Sequence, residues 1–219
     1  MRRCRDCSSK DGAQPISPVR FIQKNRFPDI LEACFLEPLN LRLFHRHYGS
    51  SKDIFPAVQK LLMLNLDEVR QRPHFSDHAF DLFRWIESTT DDGMVILLAH
   101  NGNRFDHKIL RHHFEERGLH IPPNWYFEDT LPLCKKLLPG LKSYAIVNLA
   151  SGLLEKTPTG LHQASTDVTV LWTILKIMIK EEDDEKALTM IARQVLHDMF
   201  GMPLAPPSYD LDEADFLVE

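Results

Sequence analysis

The chain has 219 residues, 43% hydrophobic and 26% charged, a length and balance that fit one globular domain with trimmings at its ends. The net charge of −5 excludes a broadly basic nucleic-acid coat, yet leaves room for a small cationic groove because phosphate contact is local. The longest apolar run, residues 94–99, is strand-sized, so no bilayer span and no membrane partner are expected.

In chain order, the opening MRRCRDCSSK has basic residues with no apolar segment behind them and does not read as a secretory signal. Residues 1–18 are polar and mixed, end in Pro15 and Pro18, and read as a flexible arm. Residues 30–36 are apolar and bounded by Pro28 and Pro38, which predicts a strand. Residues 39–48 alternate, Leu41 and Leu43 against Arg42 and His45, and pair with that strand as a hairpin. Phe75, Ala79, Leu82, Phe83 and Ile86 recur at helical spacing over 75–86. A turn at Asp91-Asp92-Gly93 leads into a buried strand over 94–99. A helix over 104–117 stops at Gly118, a short strand follows at 125–127, and helices follow at 143–154, 163–180 and 185–200. The folded domain therefore spans 19–200, and 201–219 is a proline-broken, acidic tail. Strands first, then strand–helix alternation, predict an α/β mixed sheet flanked by helices.

Four cysteines (Cys4, Cys7, Cys34, Cys134) fit a reducing, intracellular setting, nuclear or cytoplasmic, better than a disulfide scaffold. Cys4 and Cys7 form a lone CxxC without the second pair that a zinc site wants. Among the eleven histidines, His45/His47, His74/His78 and His112/His113 are close in sequence. No third or fourth ligand stands at matching spacing, so no structural zinc is expected. Trp85, Trp125 and Trp172 fall in apolar patterns and read as core. Arg104, Lys108 and Arg111 suit either phosphate contact or the solvated face of their helix.

Two segments carry chemistry. Ala99-His100-Asn101-Gly102-Asn103-Arg104-Phe105-Asp106 lies where a buried strand hands over to a helix, the place where open α/β sheets build sites. Gly160-Leu161-His162-Gln163-Ala164-Ser165-Thr166-Asp167 places a histidine and a carboxylate on either side of a helix start, the one able to take a proton and the other to hold a hard cation. Each carboxylate also has a plain alternative, as a cap or dipole partner of its helix.

Together these segments resemble the HNxxxFD and HxAxxD motifs of the DEDDh 3′–5′ exonuclease superfamily, which includes proofreading and three-prime repair exonucleases. The matches are His100-Asn101, Phe105-Asp106, His162, Ala164 and Asp167. Asp129-Thr130-Leu131 and Ser143-Tyr144 with Leu149-Ala150 resemble the landmarks between those motifs, and the likeness covers about residues 28 to 180. It implies an RNase H-like fold: a mixed five-stranded β-sheet flanked by α-helices. It also implies two-metal hydrolysis at nucleic-acid 3′ ends, DNA or RNA, with Mg²⁺ or Mn²⁺. On that likeness Asp106 and Asp167 are metal ligands and His162 is the general base, with His100, Asn101 and Phe105 on the substrate side. Some relatives dimerise, so a homodimer is a further expectation.

The family's first motif, DxE on the opening strand, is missing. Aligning residues 19–25 as that strand puts Gln23 and Asn25 in the Asp and Glu positions. An amide oxygen ligates a cation but brings no charge, so two of the family's four carboxylates are lost. Of the nearby acids Asp29, Glu32 and Glu37, Glu32 resembles the family's structural strand-two glutamate. The expectation is therefore double: a metal-dependent 3′–5′ exonuclease, or a weak or inactive exonuclease-fold module that binds nucleic acid or protein.

Overall fold

The computed structural model describes residues 19–22, 27–89, 93–154, 159–160 and 163–200. The arm 1–18, the tail 201–219, Asp91 and Asp92, the first-motif positions Gln23 and Asn25, and His162 lie outside the described residues.

Strand β2 (Asp29–Glu37) is the centre of an antiparallel ladder, with β1 (Val19–Ile22) on one side and β3 (Arg42–His47) on the other. The expected hairpin is thus β2–β3. Its turn is held by Glu37, whose carboxylate accepts the Leu39 amide at 2.8 Å and the Asn40 amide at 3.2 Å, while Leu41 takes a left-handed φ of 51°. Helices α1 (Pro56–Leu62) and α2 (Leu66–Gln71) follow, then α3 (Phe75–Glu87). The second half alternates β4 (Val95–Ala99), α4 (Asp106–Glu116), β5 (Trp125–Asp129), α5 (Thr130–Leu137), α6 (Ile146–Leu153), α7 (Ala164–Ile179) and α8 (Asp184–Phe200). Strands β4 and β5 are parallel, with α4 in the crossover between them.

The α/β class expected from the sequence is the one the molecule has. Its strands form two ladders, however, β1-β2-β3 and β4-β5, and no backbone ladder joins them among the described residues. Among the described residues β1 pairs with residues 29–33 of β2, with a bulge between Arg20 and Phe21. The remaining edge of β2 (Cys34, Phe35, Leu36) meets β4 (Ile96, Leu97, Leu98) across a cavity of about 140 Å³ instead of a hydrogen-bond ladder.

Among the described residues the apolar side chains gather into two large cores and a small third one of Leu31, Ile54 and Val69. One gathers Ile30, Phe44, Phe75, Leu82, Phe114 and Trp125, from β2, β3, β5, α3 and α4. The other gathers Cys134, Ile146, Leu149, Ile174, Leu175 and Ile191, from α5 to α8. Burial of this kind contributes roughly 1.5–3 kcal/mol per large side chain. No helix among the described residues is long and apolar enough to cross a membrane.

Candidate active site

The turn between β4 and α4 is held by the carboxylate of Asp129, which closes β5 in register with Ala99. Its Oδ1 accepts the amide of Asn101 at 2.7 Å and that of Leu131 at 2.9 Å, and its Oδ2 accepts the amide of Asn103 at 3.2 Å. One buried acid therefore fixes the turn and caps α5 as well. Asn101 takes a left-handed φ of 61°, a conformation asparagine tolerates better than most residues. Asp129→Asn keeps one acceptor oxygen and loses the other along with the charge. We expect a loss of about 1–3 kcal/mol, read as a lower urea midpoint.

Gly102 meets a different constraint. A Cβ there would stand 2.5 Å from Cε1 of His107, 2.6 Å from its Nε2 and 2.8 Å from the Ala99 Cβ. The imidazole occupies that space, so the close approach of turn and helix requires glycine. Gly102→Ala is expected to destabilise by about 1–3 kcal/mol; an unchanged melting temperature would mean the ring moves aside freely.

His100, on the substrate side by resemblance, is only 2% exposed. Its Nε2 donates to the Tyr144 carbonyl at 2.7 Å, which leaves Nδ1 to accept the Thr130 hydroxyl at 3.0 Å. Both ring nitrogens are thus engaged inside the protein, and the ring ties β4 to α5 and to the segment before α6. Burial, against the Tyr144 hydrogen bond and the Asp129 charge, lowers its pKa and keeps it neutral. Phe105 is half-buried at the N-cap of α4, with the Arg104 guanidinium 5.2 Å from its ring centroid. Arg111 lies 4.0 Å from the Phe127 ring centroid, while Lys108 is exposed.

The two motif carboxylates have similar settings. Asp106 is the first residue of α4 and 3% exposed; Asp167 lies in the first turn of α7 and is 1% exposed. Helix N-termini favour a negative charge at both places. Burial on this scale disfavours bare charge, so such acids need compensation. Cys34 connects their surroundings. It lines the β2–β4 cavity together with Asp106, and its thiol is pushed up to about 12, first by burial and then by the charges of Glu32 and Asp167. Asp106 thus borders the same cavity as Cys34, and the charges of Glu32 and Asp167 both act on the Cys34 thiol. Glu32, 8% exposed, accepts the Ala164 amide at 3.1 Å and so holds the start of α7 against the sheet. The sequence marks Glu32 only as a structural acid, and it treats Asp129 only as a landmark; their hydrogen bonds to distant amides follow from strand register and leave no local signature.

The chain is similar in sequence to several known proteins. The chain is 26% identical over 166 residues to a 3′-5′ exonuclease DinG of Staphylococcus epidermidis, covering 72% of this chain and 17% of that protein. It is 34% identical over 94 residues to the exonuclease DPD1, chloroplastic/mitochondrial, of Arabidopsis thaliana (40% and 30% covered). It is 30% identical over 92 residues to three prime repair exonuclease 2 of Mus musculus (38% and 39% covered). The chain thus spans well under half the length of each of these relatives. A solved structure of exonuclease X in complex with 5′ overhanging duplex DNA matches at TM-score 0.47 and 18% identity, over 77% of this chain and 95% of that one. The family model for exonucleases of the RNase T type matches residues 37–175, well over half the chain, and the chain belongs to that family.

Proposed function

We propose that the chain hydrolyses nucleic acid from the 3′ end with the help of a divalent cation. The observation that carries this reading is the placement of Asp106 and Asp167: two carboxylates, 3% and 1% exposed, each in the first turn of a helix beside the sheet. Carboxylate oxygens on rigid elements fit a hard cation such as Mg²⁺ or Mn²⁺, which prefers oxygen ligands. Such ions, when bound, stabilise charge on the phosphate and on the attacking and leaving oxygens. In this reading the Asp106 and Asp167 oxygens hold the cation, and the turn fixed by Asp129 sets where α4 begins and so aims Asp106. His162, five residues before Asp167, takes the proton from water. The names of the relatives support a nucleic-acid substrate.

A second reading, an exonuclease fold kept for binding, draws on the cavity between β2 and β4. Apart from Asp106 and His107 its lining is largely apolar, with Phe35, Leu36, Leu97 and Leu171 among the residues present. One experiment separates the two. A 3′-labelled oligonucleotide is incubated with wild type or Asp167→Ala in Mg²⁺, in Mn²⁺ and in chelator. Wild-type product that needs the ion and fails with the variant supports hydrolysis. Equal product from both proteins marks a contaminant and sinks that reading, and binding without product favours the second.

A further inference from the structure

Strands β2 and β3 carry a set of ligand-type side chains that the proposed hydrolysis does not use. Their antiparallel register sets Glu32 opposite His47 and Cys34 opposite His45, so all four project from one face. One ligand atom from each of Glu32, His45 and His47 lies within 4.8 Å of the others. The Glu32 Oε1 is 2.9 Å from the His45 Nε2 and 3.6 Å from the His47 Nε2. Around a tetrahedral ion with bonds of about 2.0–2.2 Å, neighbouring ligand atoms stand about 3.4 Å apart, and the two observed distances bracket that value.

We propose that Glu32, His45 and His47 form a binding site for a borderline first-row cation of the Zn²⁺ class, with solvent in the fourth position. Two imidazoles and one carboxylate select such an ion over Mg²⁺ or Ca²⁺, which take oxygen ligands. The exposure of the three side chains rises from 10% for Glu32 through 30% for His45 to 50% for His47, so the base is anchored and the rim is open to an entering ion. Cys34 shares the face and is buried, but the ligand atoms that lie within 4.8 Å of one another belong to Glu32, His45 and His47, so the donors are nitrogen and oxygen.

The sequence shows no third ligand at matching spacing for His45 and His47. The third ligand comes from the neighbouring strand, thirteen residues from His45, and only the register reveals it. Because the Glu32 Oε1 also accepts the Ala164 amide, the ion sits against the start of α7, three residues before Asp167.

The test is metal binding, independent of any nuclease assay. The full chain is stripped with chelator and titrated with Zn²⁺ alone against a chromophoric competitor, with Mg²⁺ in excess. The wild type is expected to bind one more equivalent than His45→Gln/His47→Gln, and Mg²⁺ is expected not to displace it. Co²⁺ in place of Zn²⁺ should give ligand-field bands without thiolate charge transfer, which separates this site from any ion held at Cys4 and Cys7. Asp106→Asn should keep the equivalent even if no hydrolysis is found. Equal stoichiometry in wild type and double variant, or displacement by Mg²⁺, would overturn the proposal. Should the double variant fail to fold by circular dichroism, His47→Gln alone at the rim must weaken Zn²⁺ at least tenfold, and unchanged affinity there overturns it equally.

Discussion

Asp106→Asn is expected to slow 3′-end hydrolysis about a hundredfold or more while leaving folding stability within about 1 kcal/mol. The substitution preserves volume and one side-chain carbonyl oxygen at the first residue of α4. It removes the negative charge. Hard-cation affinity tracks ligand charge; on the alignment that puts Gln23 and Asn25 in the first-motif positions, each remaining carboxylate would bear a larger share of that charge than in a four-acid site. Part of the lost rate should therefore return at high Mn²⁺ concentration, a rescue that a defect in substrate positioning would not show. The stability expectation balances two opposing terms. The helix N-terminus favours the charge, and burial at 3% exposure opposes it. Rate and urea midpoint are measured on one preparation. If both fall together, Asp106 supports the fold, and its place in a cation site is refuted.

What the sequence made legible follows from the range of each signal. Phe75, Ala79, Leu82, Phe83 and Ile86 repeat at helical spacing and are all buried in α3. The proline-bounded run expected over 30–36 lies in β2, within one residue at each end, whereas the strand expected over 39–48 is confined to Arg42–His47, because residues 38–41, Leu41 among them, form the turn. Asp106 and Asp167 were placed at helix starts by the turn residues before them, and both lie in first turns. The helices α1, α2 and α5 went unread. They are 7, 6 and 8 residues long, too short for periodicity to accumulate, and α5 carries Pro132 in its first turn, where proline is tolerated. Strand partnership was the larger gap. Apolar pattern predicts that 94–99 is a strand without saying what lies beside it, and β4 pairs with β5 while meeting β2 only across a cavity. The same limit hid the roles of Asp129 and Glu32 and the convergence of Glu32 with His45 and His47. Each depends on which strands are neighbours and in what register, a property of the assembled sheet rather than of any local segment.

The fold should also lose stability steeply between pH 6.5 and pH 4, because it buries three neutral histidines. His100, His107 and His113 are 2%, 5% and 6% exposed, and burial is the largest cause lowering the pKa of each. For His107 the value falls from 6.5 to about 4, with the Asp129 charge raising it and Arg111 lowering it further. The sign follows from proton counts. In the unfolded chain an imidazole binds a proton near its ordinary value, whereas the folded one binds it only at lower pH, so in this window the unfolded state holds more protons. Stability is therefore fully present above the unfolded value and is lost as pH falls towards the folded one. His107 alone accounts for about 3 kcal/mol by pH 4, a large part of a typical domain's total. The local contacts explain why protonation is resisted. Nδ1 of His107 reaches the Asn103 side-chain oxygen at 3.3 Å, but no hydrogen-bond partner for its Nε2 is found among the described residues. His113 donates from Nε2 to the Pro28 carbonyl at 3.0 Å and packs edge-on against Phe75. Urea midpoints measured across this range in chelator, so that no bound ion contributes, should fall as the medium is acidified. His107→Gln, which cannot take up a proton, should remove up to one proton from the slope and leave the remainder to His100 and His113. A midpoint flat from pH 7 to pH 4 in the wild type would show that these rings are hydrated in solution, and would remove burial as the cause of their neutrality.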